Sequence, residues 1–471
     1  MGFGESILLH QGDCCLLVDC GSESRHREDY FNNVVQELKK YHKRSLLISH
    51  FHEDHMNGVK YLYDHYRQGF DMVYIPNIFE KGNTALETII LQHLEDLDSK
   101  KSDFYQIWQL LYDLIKSQNQ IQLIQRGDDF DGPACQFKAL WPIRDEKAIT
   151  AFQRNVQRSS NFIDPLIQDV TRVANQMRHI VHLMTAPGDI VFKYSAAAEE
   201  LPVLEENVVH LRKNFAQLMR EAGDEERKNE IHKLFHGMKK NDYSIVFHTL
   251  DDDQIQILMT GDITSSSMSK IASNRITVKK PLCPNIPLKA HYEVVKAPHH
   301  GIKYRTKAGF LDIISQQEVN RLLISNGETS KSSRGYISEQ YLSNGFVKHV
   351  YCTNTIRRRC SYMVKYNQCA TVCKDCKSGG VRVDCSVANI SFHGMPEIIW
   401  NPAREDDFKN ALLKIRQAKI TWEYSDGRKE VKPWRTNRVT TTTNFRNNIE
   451  SRPQWKKKSE NGLVRVYVEV I

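Results

Sequence analysis

The stretch Leu46-Leu47-Ile48-Ser49-His50-Phe51-His52-Glu53-Asp54-His55 decides how the rest of this chain is read. Three apolar residues in a row, ended by Ser49-His50, read as a buried strand that stops there. Side chains alternate along extended backbone, so His50 and His52 leave the strand pointing the same way and are spaced to hold one metal ion. Asp54 and His55 open the next turn and are placed to reach a second ion. Four ligand-type side chains between residues 50 and 55, with Gly58 close behind, read as a metal cradle rather than a His-rich surface loop.

One loop does not close a metal site, and the remaining ligands are expected at other strand ends. Met259-Thr260-Gly261-Asp262 follows the apolar run Ile255-Gln256-Ile257-Leu258, and a carboxylate there is placed to bridge two ions. Ala297-Pro298-His299-His300-Gly301 follows Val294-Val295-Lys296 and offers one or two more imidazoles. Taken singly, Asp262 reads as a turn or helix-capping residue, and a lone His pair reads as structural. The order of three such segments, each at a strand end, favours the metal reading.

Working outward, Ile7 to Leu9 and Leu16 to Val18 read as strands, Arg27 to Tyr41 as a helix, and residues 84 to 125 as mostly helical. Strand character returns over 134–142 and again at 243–247, 255–259, 293–296 and 321–325. Alternating strands and helices predict an α/β layered domain. Residues 146–238 are rich in Gln, Glu, Arg, Lys and His at helical spacing and read as an inserted helical subdomain. Beyond about 365, cysteines cluster and short β-like runs alternate with basic turns. The expected division is 1–145 and 239–365 for the two halves of the α/β layered domain, 146–238 for the insertion, and 366–471 for a Cys-containing, basic, β-rich extension.

The chain has 471 residues, too many for one simple core. Hydrophobic content of 40% and charged content of 26% are those of a water-soluble globular protein. No apolar run is long enough to span a bilayer, and no signal peptide is recognised, so a cytoplasmic protein without membrane attachment is expected. The net charge of +8 suits a polyanionic partner without requiring one. Eleven cysteines without a secretion signal point to thiols or metal ligands rather than disulfides. Cys14, Cys15 and Cys20 read as small core residues.

The combination His-x-His-x-Asp-His, a later Thr-Gly-Asp and Pro-His-His-Gly resembles the metallo-β-lactamase superfamily. The branch it is similar to is the hydrolase domain of ComEC-type DNA-uptake proteins. Gly2-Phe3-Gly4-Glu5-Ser6, Leu17-Val18-Asp19-Cys20-Gly21, Leu140-Trp141-Pro142 and Asn241-Asp242-Tyr243-Ser244 fall in that branch's order. The resemblance implies an αββα sandwich with two divalent ions, zinc or manganese, at one edge of the sheets. His50 and His52 would hold the first ion, Asp54 and His55 the second, and Asp262 would bridge. His299 would complete the second ion, leaving His300 beside it or as general acid; the opposite assignment stays open. The chain departs from many members in having no His over 239–242, and Ile302 stands where Ser is usual.

The function expected is a binuclear phosphodiesterase or nuclease that uses a metal-bound hydroxide, oriented by Asp54, with His300 protonating the leaving group. Arg357-Arg358-Arg359, Arg435, Arg438, Arg446 and Lys456-Lys457-Lys458, with Trp434 and Trp455, are suited to a phosphate backbone and stacked bases. Nucleic acid or another phosphodiester is therefore the expected partner. A small-molecule esterase of phosphorylcholine-esterase or lactonase type, and a non-catalytic binding protein on the same scaffold, remain alternatives, since fold does not select substrate. Cys369, Cys373, Cys376 and Cys385 have the ligand types and near the spacing of an additional structural zinc site.

Overall fold

A computed structural model describes residues 4–22, 27–66, 69–97, 99–133, 135–143, 149, 152, 163–222, 243–273, 285–302, 309–325, 341 and 347–352. Beyond these it describes the strand residues at 381–384, 389–392, 397–402, 415–424, 429–440 and 463–470. Among the described residues the protein is mixed α/β, with two large sheets and helices.

The first sheet runs β1 (Ile7–Gln11), β2 (Cys14–Val18), β3 (Lys43–Leu47), β4 (Met72–Pro76), β5 (Gln120–Ile124), in that spatial order. β1 and β2 form an antiparallel hairpin, and β2 to β5 are parallel. Parallel neighbours need crossovers. They are supplied by α1 (Arg27–Leu38), by α2 (Glu53–Met56) with α3 (Val59–His65), and by α4 (Ala85–Gln92) with α5 (Asp103–Ser117).

The second sheet holds β6 (Asp129–Asp131), β7 (Gln136–Trp141), β8 (Val246–Thr249), β9 (Ile257–Met259), β10 (His291–Lys296), β11 (Glu318–Ile324) and β12 (Val347–Cys352), neighbours in that order. β6 to β9 pair antiparallel, and β9 to β12 pair parallel.

The expectation of helix over 84–125 is corrected at its end. Helix α5 stops at Gln118, which takes a left-handed conformation, φ 55°, and β5 follows. Gln120 to Leu123 alternates polar and apolar residues, a period-two pattern that pairs with β4.

The strands' alternation sorts their side chains between clusters. Leu16, Val18, Leu47 and Tyr74 of the first sheet share a buried cluster with Phe137, Ala139, Phe247 and Met259 of the second. The intervening residues Leu17, Leu46, Val73 and Ile75 face away, into a cluster with helices α1, α3, α4 and α5. On the far side of the second sheet, Leu140, Val246, Leu258, Val295 and Leu322 pack with Met268 and Ile271 of α9 (Ser265–Ala272) and Phe310 and Leu311 of α10 (Phe310–Ile313). Burying one such Leu or Val contributes about 1.5–3 kcal/mol.

Three helices occupy the described part of the 146–238 stretch: α6 (Asp164–Thr185), α7 (Ile190–Glu199) and α8 (Leu201–Ala222). Their apolar residues Val170, Met177, Tyr194 and Leu211 belong to the same cluster as α4 and α5. Arg178 of α6 grips both carboxylate oxygens of Glu87 in α4, at 2.7 and 2.6 Å.

In the C-terminal region, β13 (Val381–Asp384) pairs with β14 (Asn389–Phe392). β15 (Glu397–Pro402), β16 (Ile415–Tyr424), β17 (Lys429–Thr440) and β18 (Leu463–Val470) form a four-stranded sheet ordered β15-β18-β16-β17. None of the described helices is long and apolar enough to cross a membrane.

Candidate metal centre

Parallel strands deliver their carboxyl ends to one edge, where loops carry function. The loop after β2 brings Asp19, that after β3 brings Ser49 to His55, that after β9 brings Asp262, and that after β10 brings His299 and His300. The backbone bolts these loops together. Cys20 N–H donates to His55 O at 2.8 Å, Glu5 N–H to Asp54 O at 3.1 Å, and Ile245 N–H to Ser49 O at 2.8 Å, the last joining the two sheets. Gly21 passes so close to this loop that a Cβ there would stand 2.1 Å from the carbonyl oxygen of Asp54.

The hydrogen bonds fix which nitrogen each imidazole presents. Asp19 is fully buried, with a left-handed backbone of φ 58°. It accepts from Ser49 N at 2.6 Å, from Ser49 Oγ at 2.5 Å and from His55 Nδ1 at 2.8 Å. The Ser49 hydroxyl proton is thus given to Asp19, so its oxygen accepts from His50 Nδ1 at 3.0 Å. His300 Nδ1 donates to Ser325 O at 2.8 Å. In each of His50, His55 and His300 the Nδ1 proton is therefore taken by the protein, and Nε2 is the nitrogen turned inward.

Those three Nε2 atoms converge on one carboxylate oxygen. Asp262 Oδ2 lies 4.0 Å from His50 Nε2, 3.5 Å from His55 Nε2 and 3.5 Å from His300 Nε2. Asp54 Oδ2 stands 3.0 Å from His300 Nε2. The other oxygen of Asp262 is anchored by the backbone, accepting from His299 N–H at 3.1 Å, and by Lys296 Nζ at 3.3 Å. Ligand-type atoms of His50, His52 and Asp262 lie within 4.8 Å of one another. His50 Nε2 and His52 Nε2 are buried without a hydrogen-bond partner. Buried polar atoms are normally satisfied, and the His50 nitrogen, left so beside Asp262, suits a divalent cation.

The electrostatics agree with a site built for positive charge. Burial, together with the neighbouring His55 and His52, holds His50 well below the ordinary imidazole value. Burial opposes charge on His55, yet Asp262 and Asp19 lift it well above that value. The same contest raises His300, through Asp262 and Asp54. Burial alone would raise Asp262, but His300, His55 and Lys296 hold it well below the usual carboxylate range. A proton and a metal ion compete for the same lone pairs here.

His299 contributes mainly backbone to this arrangement. It and His300 both sit in left-handed conformations, φ 50° and 55°, followed by Gly301 at 72°. That turn carries the His300 ring inward, 5.0 Å between centroids from His55. The expectation favoured His299 as ligand; the geometry gathers His300 with Asp54, His55 and Asp262.

Three groups at the centre went unassigned in the sequence. Asp19 orients His55 and, through Ser49, His50. Lys296, fully buried, donates to Gly261 O at 2.7 Å and pairs with Glu5 at 2.6 Å. Glu5 also accepts from Ser325 Oγ at 2.6 Å. Asp19 and Glu5 stand near enough to imidazoles to count as ligands; both oxygens of Asp19 are already engaged by these donors, and Oε2 of Glu5 is shared by Lys296 and Ser325. Asp19 and Glu5 did lie in motifs carrying the resemblance, which was the available signal.

Residues 2–70 match the family model of the Metallo-beta-lactamase superfamily. A domain of that superfamily points to a metal-dependent hydrolase, and superfamily domains typically hold divalent metal ions. The matched stretch contains Asp19, Gly21 and the whole His50 to His55 loop; Asp262 and His300 lie beyond it and join the matched loop through the tertiary structure. No curated protein matches the chain.

Other expected sites fare differently. Cys15 and Cys20 are buried free thiols, pushed up to about 12 by desolvation and so unreactive. Cys369, Cys373, Cys376 and Cys385 lie outside the described residues, as do Arg357 to Arg359, Arg446, Trp455 and Lys456 to Lys458. Trp434, Arg435 and Arg438 belong to β17, one of the two edge strands of its sheet.

Proposed function

We propose that this chain is a binuclear metal-dependent phosphodiesterase, of the ComEC-like branch and acting on nucleic acid or a related phosphodiester. The observation that carries the reading is the convergence of three Nε2 atoms on Asp262 Oδ2. His50 and His52 would hold one divalent ion, Asp54, His55 and His300 the other, and Asp262 Oδ2 would serve both. The clusters on both faces of the two sheets support an αββα layering around this edge.

Divalent metal bound there supplies Lewis acidity, lowering the pKa of water and offsetting charge on a reacting phosphoryl oxygen. The protein's own groups do the positioning. Asp19 and Ser49 hold His50 and His55 in the tautomers that leave Nε2 lone pairs. Burial would push Asp54 up, but the His300 hydrogen bond and the nearby imidazoles keep it ionised, the state in which it orients a water. His300 is assigned as ligand rather than general acid, because its Nδ1 proton is already given to Ser325 O. The positive net charge and the basic edge strand β17, with Lys429, Lys432, Arg435 and Arg438, favour a polyanionic substrate.

Metal analysis of the purified chain is expected to give about two equivalents. Bis-p-nitrophenyl phosphate and DNA are expected to be cleaved by the wild type and spared by Asp262→Ala. Survival of both compounds while a monoester or lactone is hydrolysed defeats the phosphodiester assignment.

A further inference from the structure

A second set of titratable groups backs onto His52 from outside the centre. Asp103 opens α5, and His93 closes α4; both side chains are 7% exposed. Asp103 Oδ2 stands 3.7 Å from His52 Nε2 and 3.6 Å from His93 Nε2. The backbone N–H of Asp103 donates to His93 Nε2 at 3.4 Å, and His93 Nδ1 donates to Asp96 at 2.9 Å. Ser102, capping the same helix, accepts from Tyr105 N–H at 3.1 Å. The start of α5 thus holds Asp103 in place independently of His52, and the helix dipole favours a carboxylate there.

His50, His55 and His300 each have their Nδ1 proton placed by an acceptor. His52 has no such acceptor within hydrogen-bond distance of its buried Nε2, and the carboxylate at ion-pair distance is that of Asp103. Carboxylates that take one imidazole proton set the ring's orientation and raise the basicity of the other nitrogen.

We propose that Asp103, a residue outside every motif of the cradle, is the positioning residue for His52. Its carboxylate takes the Nε2 proton, turns the ring, and leaves the Nδ1 lone pair for a divalent cation. This rests on the metal-centre reading above. His93 and Asp96 support Asp103 by pinning the first turn of α5.

The test is Zn2+ binding to the full chain by competition with a fluorescent chelator, together with the visible spectrum of the Co2+-loaded chain. Wild type is expected to bind two equivalents. Asp103→Asn is expected to keep the thermal unfolding of the metal-stripped chain, to weaken one equivalent about 10- to 100-fold, and to shift the Co2+ absorption. Asp103→Glu should restore part of the affinity, which a merely structural role for Asp103 would not require. Two tight equivalents in Asp103→Asn, with one lost in His52→Ala, overturns the proposal and leaves the metal centre standing. Failure of the wild type to take up Zn2+ overturns both. Should Asp103→Asn not fold, His93→Gln carries the test: weakened Zn2+ binding supports the proposal, and unchanged binding overturns it.

Discussion

Asp19 and His55 form a fully buried pair in which His55 Nδ1–H donates to the carboxylate, with Nδ1 and Oδ2 2.8 Å apart. The bond decides the direction of His55 Nε2, toward Asp262. Replacing Asp19 by Ala removes the acceptor for His55 and frees the Ser49 hydroxyl that sets His50. Zn2+ affinity is expected to fall about 10- to 100-fold, read by chelator competition. Retention of wild-type affinity would show that the loop orients its histidines without Asp19.

His299 and His300 are neighbours with opposite expected outcomes. His300→Ala should lose one metal equivalent and with it hydrolysis, because its Nε2 faces Asp54, His55 and Asp262. His299→Ala should keep both equivalents, since its backbone N–H, not its ring, is what anchors Asp262. Metal content of the two purified variants decides between them.

Lys296 is a buried cation between Glu5 and Asp262. Lys296→Met leaves two carboxylates without their partner, and breaking a buried pair of this kind costs about 3–5 kcal/mol. Urea unfolding should show a loss of that order, and adding Glu5→Gln should recover part of it. Equal stability of the single and double variants would count against the ion pair as the source.

Gly21→Ala would drive a Cβ into the Asp54 carbonyl, at 2.1 Å without movement. The contact is with backbone, so the loop itself must shift. A stability loss of about 1–3 kcal/mol and weakened metal binding are expected together. A variant that melts and binds Zn2+ like the wild type would mean that the 19–22 turn gives way freely.

His248, in β8, is held down to about 4 by burial and by the charge of Lys289 beside it. The unfolded chain takes up this proton near pH 6.5 while the folded chain resists it until about 4. Between those values the unfolded state binds more protons, so stability falls as pH falls through the window. From pH 7 to 5 the share due to His248 is about 2 kcal/mol. His248→Gln should remove it, so the stability gap between variant and wild type should change by that amount between the two pH values. A constant gap would assign the acid sensitivity elsewhere.

Much of the strand pattern was legible because alternation and short apolar runs are local signals. β2, β3, β10 and β11 were found from them, with ends shifted by a few residues. β5 was hidden inside a helical reading because only the left-handed Gln118 separates it from α5, and Gln gives no hint of that conformation. β4 drew no notice at all, since Met72-Val73-Tyr74-Ile75-Pro76 is short and its burial comes from neighbours on both sides. The supporting groups of the centre were harder still. Glu5 meets Ser325 across 320 residues, and Asp103 meets His52 with three helices and β4 between them in the chain. Carboxylates that act through another side chain have no fixed spacing to betray them.

The chain's own order of residues determined that a His and Asp cradle leaves the end of a buried strand, because a strand's two-residue period and its termination are set within a few positions. Which imidazole of His299-His300 turns inward was decided only by the fold. That choice depends on two left-handed residues and on Gly301, where a Cβ would stand 2.5 Å from Ile324 in the adjacent strand. Backbone direction there follows from packing between strands remote in sequence. The ring that reaches Asp54 and Asp262 is therefore a property of tertiary contact rather than of the motif.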